Sequence, residues 1–283
     1  MCTMKYLEDQ YVGYDGTRMH MPVWTTDDER ARAVIIAVHG LSSHGENMSN
    51  IGEYFAERGF VVFAPDMRGF GHYPGRKGHI VKFSEYIEDL QNIVMQVRDQ
   101  YSKHLVFPFG HSLGGLIVIL YAAEYGQNID GMMISCPAVS QTLDIGIGKR
   151  IAGEILSLLN IKRYIESDLN LEYTSHDPQV VKHHQNDPLR FDKVTPRMGI
   201  ESLRAINRAN QLAPEITLPA LVQQAGDDKL VDPEKTRQFY ERLGSPDKIW
   251  FFYDGFYHEL HAEIGKERVL QDMEDWLEKR LPS

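Results

Sequence analysis

Leu105-Val106-Phe107-Pro108-Phe109-Gly110-His111-Ser112-Leu113-Gly114-Gly115-Leu116-Ile117-Val118-Ile119-Leu120 decides the architecture of this chain. Residues 104–109 read as a buried strand, and residues 113–125, apolar on nearly every side, read as a helix packed against a sheet. Only Gly110-His111-Ser112 separates them, so the chain must turn sharply from strand to helix at a serine. Glycines on either side allow tight backbone angles without side-chain clashes. The first N–H groups of the helix then point where a negative charge would develop, which nominates Ser112 as a nucleophile and the Leu113 N–H as an oxyanion donor.

Outward from this turn, short apolar runs alternate with amphipathic stretches. Strands are expected at 17–24, 33–38, 60–64, 129–135, 220–225 and 248–253, after an N-terminus that leads into polar, strand-like sequence. Helices are expected at 47–58, 83–101, 233–243 and 268–281, the third with Pro233 in its first turn. Such alternation predicts an α/β protein with a mostly parallel, eight-stranded sheet flanked by helices. Residues 137–214 break the alternation and carry Ile147, Ile151, Ile155 and Leu159 on one helical face. A segment that long cannot be a structureless loop. It reads as a helical lid inserted between two parts of one core, 1–136 and 215–283.

A serine hydroxyl needs a base to take its proton, and the base needs an orienting acid. On a sheet of this kind the acid and then the histidine follow the serine in sequence, each just past a strand end. The strand 220–225 runs into Gly226-Asp227-Asp228-Lys229-Leu230-Val231-Asp232, and the last strand into Asp254-Gly255-Phe256-Tyr257-His258. Asp232 precedes Pro233 and reads as a helix N-cap. Of the other two, Asp228 is favoured by its spacing to Gly226 and Val231, with Asp227 the alternative. His258 is the candidate base. The turn His39-Gly40-Leu41 after the strand 33–38 supplies a second oxyanion donor, the Leu41 N–H. His39, Gly40 and His111 are the expected substrate-binding residues, although His39 also reads as structural.

A formal net charge of -10 disfavours nucleic acid and anionic membrane surfaces as partners. Two scattered cysteines, Cys2 and Cys136, make neither a disulfide framework nor a zinc site. With no signal-peptide pattern at the start and no long apolar run, a cytoplasmic location is expected. No cofactor and no metal are expected. His183-His184 reads as part of a solvated lid loop, and Trp250-Phe251-Phe252-Tyr253 as a buried strand.

The chain resembles the monoacylglycerol lipase and lysophospholipase group of α/β-hydrolases. The likeness runs through Asp15-Gly16-Thr17, His39-Gly40, Asp66-Met67-Arg68-Gly69-Phe70-Gly71, Gly75-Arg76-Lys77-Gly78-His79-Ile80 followed by Phe83 and Asp89, the Ser112 turn, Gly226-Asp227-Asp228 and Tyr253-Asp254-Gly255-Phe256-Tyr257-His258-Glu259. It implies an α/β-hydrolase fold with a triad of Ser112, Asp228 and His258 and an oxyanion hole of Leu41 and Leu113. It also implies hydrolysis, through an acyl-enzyme, of a monoacylglycerol, lysophospholipid or similar ester. Acyl transfer, carbon–carbon hydrolysis and non-catalytic ligand binding are the alternatives. The expected partner is a small-molecule ester or lipid, with transient membrane or micelle contact through the lid, in a monomer or homodimer. Two departures stand out. Ser43 precedes His44 where the group often has glutamate, and His72-Tyr73 follows Gly71 where a small residue and serine are usual.

Overall fold

Val34–Val38 (β3) is Val-Ile-Ile-Ala-Val, buried at every position. It lacks polar alternation because both faces of the sheet are covered by helices. Val34, Ile36 and Val38 face one core layer, and Ile35 and Ala37 the other. The computed structural model describes residues 4–26, 31–140, 154, 156–157, 163–167 and 169–282. The remaining strands of its main sheet are Lys5–Val12 (β1), Arg18–Thr25 (β2), Val61–Phe63 (β4), Val106–His111 (β5), Met132–Ser135 (β6), Ala220–Ala225 (β9) and Lys248–Tyr253 (β10). A separate two-stranded hairpin pairs Ile165–Glu166 (β7) with Lys193–Val194 (β8).

The eight strands lie in the order β1-β2-β4-β3-β5-β6-β9-β10. β1, β2 and β4 pair antiparallel, and every pairing from β4 through β10 is parallel. Parallel neighbours finish at one edge of the sheet, so the loops after β3, β5, β9 and β10 emerge together. In α/β sheets that edge is where ligands bind. The expected eight-stranded, mostly parallel α/β architecture is the one observed.

Ser84–Gln100 (α2) and Leu113–Tyr125 (α3) cover one face of the sheet. Ser49–Ala56 (α1) and Lys266–Glu278 (α7) cover the other, with Phe55, Met273 and Trp276 at its centre. Pro233–Arg242 (α6) starts at Asp232, whose side chain accepts from the Glu234 and Lys235 N–H groups. The turn after β4 is pinned by Arg68. Its guanidinium donates to both carboxylate oxygens of Asp89, at 2.9 and 3.0 Å, and to both of Asp15, at 2.8 and 3.0 Å. Planar forks of this kind fix orientation as well as charge.

Two expectations need correction. Residues 250–253 lie on β10, an edge strand, so only Tyr253 is buried while Phe252 is exposed. His183 and His184 are not in a loop. They end the helix Pro178–Asn186 (α4), and His184 is buried. Within 137–214 the described residues also form Pro196–Leu212 (α5), which buries Met198, Ile200, Ala205 and Ala209. Ile147, Ile151, Ile155 and Leu159, expected on one helical face, lie outside the described residues. No helix among the described residues is long and apolar enough to cross a membrane.

Candidate active site

Ser112 sits at φ 54° and ψ -115°, a strained conformation for a residue with a side chain. The strain is held from all sides. Its N–H donates to Ser135 O at 3.0 Å, and its carbonyl accepts from Ala138 N at 2.9 Å and Leu116 N at 3.1 Å. Glycine is obligatory at the flanks: a Cβ on Gly110 would lie 2.3 Å from Gly114 O, and one on Gly114 2.1 Å from Val38 O. Here the strand, the turn and the helix cross too closely for any side chain. Leu113 opens α3, so its N–H has no acceptor within the helix.

Asp228 and His258, on the loops after β9 and β10, meet at this edge. Asp228 Oδ2 accepts from His258 Nδ1 at 2.8 Å, and both side chains are buried. The same oxygen accepts from Gln224 Nε2 at 3.1 Å. Oδ1 accepts the N–H groups of Leu230 and Val231, each at 2.9 Å. Burial works against both charges. For His258 the Asp228 carboxylate outweighs it and raises the imidazole pKa above the ordinary 6.5. For Asp228 the ring and the backbone donors outweigh it and lower the carboxyl pKa. Asp227 points elsewhere: it is exposed, and its N–H bonds Phe256 O.

With Nδ1 committed to Asp228, Nε2 is the ring nitrogen left for Ser112. Ser112, His258, Gly40, Leu41 and His111 all line one small cavity of about 20 Å³. That is room for about one water molecule. His39, expected among the substrate-binding residues, is not on its wall. His39 is 1% exposed, with Nδ1 2.7 Å from Gly40 O and Nε2 accepting from Met67 N at 2.9 Å. Burial lowers its pKa to about 4, so it is neutral and serves to lock the turn that carries Gly40 and Leu41. His111 is also neutral, because burial, with His258 and His261 beside it, depresses its pKa well below 6.5.

The rest of the wall includes residues that sequence reasoning missed: Leu169, Leu171, Thr174, Arg190, Leu230 and Glu259. Leu169, Leu171, Thr174 and Arg190 belong to 137–214, where no periodic pattern marks them. That segment also grips the loop of the candidate base: His258 N–H donates to Tyr173 O at 3.3 Å and Glu259 N–H to Thr174 O at 2.8 Å. Two buried pairs fasten it further, His184 Nε2 to Glu259 Oε2 at 2.8 Å and His44 Nε2 to Asp187 Oδ2 at 2.7 Å. A larger cleft of about 1020 Å³ adjoins these pairs, lined in part by His44, His184, Asp187 and Glu259 but not by Ser112. Cys136 lies near Asp228 but is fully buried, and burial together with that carboxylate pushes its thiol pKa well up. It is no rival nucleophile.

A family model described as "Serine aminopeptidase, S33" matches residues 29–265. The monoacylglycerol lipase of Mycolicibacterium smegmatis is 29% identical over 275 residues, covering 97% of this chain and 98% of that protein. Phospholipase YtpA of Bacillus subtilis is 29% identical over 253 residues, covering 88% and 96%. Among solved structures, the monoacylglycerol lipase of Paleococcus ferrophilus superposes with a TM-score of 0.81 at 26% identity, covering 96% of this chain and 98% of that one. A soluble variant of monoglyceride lipase from Saccharomyces cerevisiae, in complex with a substrate analog, superposes at 0.84 with 21% identity, covering 100% and 96%.

Proposed function

The chain belongs to the serine aminopeptidase S33 family of α/β-hydrolases, and from that membership we propose that it is a serine ester hydrolase acting on glycerolipids with a single acyl chain. The observation that carries the reading is Ser112, held at φ 54° and sharing a cavity with His258, whose Nδ1 bonds the buried Asp228. Relatives that act on monoacylglycerols and phospholipids, by name, support the substrate class.

In the mechanism, Ser112 Oγ attacks the ester carbonyl carbon while His258 Nε2 takes its proton. Asp228 holds the ring with Nδ1 protonated and stabilises the imidazolium that forms. The Leu41 and Leu113 N–H groups receive the oxyanion. Collapse breaks the bond to the alcohol, which leaves with the proton from Nε2. Water then repeats the sequence and releases the fatty acid. A cavity of about 20 Å³ cannot hold an acyl chain, so the described part of 137–214 acts as a cap whose Leu169–Thr174 wall moves aside for substrate. Ser112→Ala should abolish turnover of a p-nitrophenyl ester and labelling by a fluorophosphonate. Near wild-type turnover in that variant would overturn the reading.

Arg190 favours one head-group class within it. Its side chain is 4% exposed, its nearest carboxylate oxygen, on Asp192, is 3.5 Å away, and its Nε and Nη1 have no hydrogen-bond partner among the described residues. A buried guanidinium with two unpaired nitrogens, in the wall of the cavity that Ser112 also lines, suits an anionic head group, as in a lysophospholipid or a phosphorylated monoacylglycerol. Arg190→Gln should lower kcat/KM for the phosphate-bearing ester about tenfold or more relative to the neutral monoacylglycerol, a difference of about 1.4 kcal/mol or greater. An equal loss on both esters would refute the head-group assignment.

A further inference from the structure

Three segments far apart in sequence bring His20, Glu46 and His72 together, with one ligand-competent atom of each within 4.8 Å of the others. His20 lies on β2, Glu46 in the short helical turn Gly45–Met48, and His72 in the turn after β4. The two imidazole rings are 4.5 Å apart, centroid to centroid. Behind them stands Asp66, whose carboxylate is fully buried. Asp66 Oδ2 accepts from His72 Nδ1 at 3.0 Å and from the His72 N–H at 2.6 Å, and faces His20 Nδ1 at 3.5 Å. Asp66 Oδ1 accepts from Gly45 N at 2.7 Å.

The buried Asp66 carboxylate holds the proton on Nδ1 of His72 and so leaves that ring's Nε2 its lone pair, while His20 Nδ1, 3.5 Å from the same oxygen, has no hydrogen-bond partner among the described residues. The two bonds from His72 to Asp66 fix the orientation of that ring. That is the carboxylate–histidine support found behind metal-bound imidazoles. From this arrangement we infer that His20, Glu46 and His72 form a binding site for one borderline divalent cation, of the Zn²⁺ or Ni²⁺ class, with water completing the coordination. Two imidazoles and one carboxylate select such ions over Mg²⁺ and Ca²⁺, which take all-oxygen sets. Tetrahedral zinc places its ligand atoms about 3.4 Å apart. Closing from 4.8 Å therefore needs about an ångström of movement, which the half-buried Glu46 chain and the His72 side chain, 43% exposed, can make. Asp66 stays in its supporting role because both its oxygens are already held by N–H donors.

The bound ion would tie β2, the turn after the Gly40-Leu41 loop, and the turn after β4 into one unit. It lies apart from Ser112, since neither His20, Glu46 nor His72 lines the small cavity. A second close triple, Cys136, Asp228 and His258, belongs to the site already described, where His258 Nδ1 is spent on Asp228.

The test is calorimetric titration of the untagged, chelator-treated full chain with ZnCl2 and with NiCl2, beside thermal unfolding with and without each salt. The expected result is one equivalent bound and a Tm raised by metal. His72→Ala and Glu46→Gln should each weaken binding about tenfold or more and abolish the metal-induced rise in Tm. His183→Ala, an exposed histidine elsewhere, should change neither. The inference is overturned if the wild-type chain takes up no stoichiometric metal. It is equally overturned if His72→Ala and Glu46→Gln bind as the wild type does, or if Cys136→Ser removes the binding.

Discussion

Asp228→Asn exchanges one oxygen for an NH2 group at the centre of four hydrogen bonds. Oδ1 accepts the Leu230 and Val231 N–H groups, and Oδ2 accepts His258 Nδ1 and Gln224 Nε2. An asparagine that keeps its oxygen on the two backbone donors must present NH2 to His258. The ring then accepts at Nδ1 and carries its proton on Nε2, where it can no longer take one from Ser112. The opposite flip keeps the His258 bond but sets NH2 against two backbone N–H groups, losing two bonds of roughly 1 kcal/mol each and leaving buried donors opposed. The first arrangement wins, and kcat should fall by about 10⁴, equivalent to about 5.5 kcal/mol of transition-state stabilisation. Asp227 is exposed and offers its backbone, so Asp227→Asn should stay within about twofold of the wild type. Saturation kinetics on p-nitrophenyl butyrate, with Tm measured in parallel, gives the comparison. If Asp228→Asn keeps more than about a tenth of wild-type kcat, or Asp227→Asn loses more, the acid has been misassigned.

Three further outcomes follow from the same geometry. As a base His258 must be neutral, and its pKa is raised, so kcat/KM should climb with pH through a midpoint above the ordinary 6.5; a midpoint below that value contradicts the Asp228 pairing. Gly114→Ala would put a Cβ 2.1 Å from Val38 O, so it should destabilise the chain by several kcal/mol in urea unfolding, or prevent folding, whereas Gly199→Ala, with nothing within 4 Å, should be harmless. Removing His184 strands the buried Glu259 charge, so His184→Ala should cost about 3–5 kcal/mol while His183→Ala costs little; equal effects of the two on urea midpoints would show that the pair is not what holds α4.

Legibility in the sequence followed the range over which each signal acts. β3, β5 and α3 were readable because a strand or helix covered on all sides must be apolar at every position, and Leu113–Tyr125 emerges with the bounds expected. β1 was visible only as polar, strand-like sequence. As an edge strand it carries Glu8, Asp9 and Gln10, and its exposed face hides the alternation. Ser112, Asp228 and His258 could be singled out because each follows a strand end, a local cue. The presence of Arg190, Leu171 and Thr174 in the cavity wall with Ser112 depends on how 137–214 folds back on the core, and no short-range pattern encodes that. His20, Glu46 and His72 have no ligand spacing at all; only the packing of β2 beside β4 unites them. His184 was misread for a related reason, since a histidine's burial is decided by a carboxylate 75 residues away.

The backbone bonds from Tyr173 and Thr174 to the His258 loop give the segment over the serine a second job. On the proposed reading, the wall that shifts to admit a lipid also carries the loop of the candidate base. Loading and bond-making would then behave like a clutch: with the wall lifted, His258 loses its tether to Tyr173 and Glu259 its tether to Thr174, and with the wall seated both are remade. Wear at Leu171–Tyr173 would register as slower chemistry rather than weaker capture, because what slips is the mounting of the base and not the grip on the lipid.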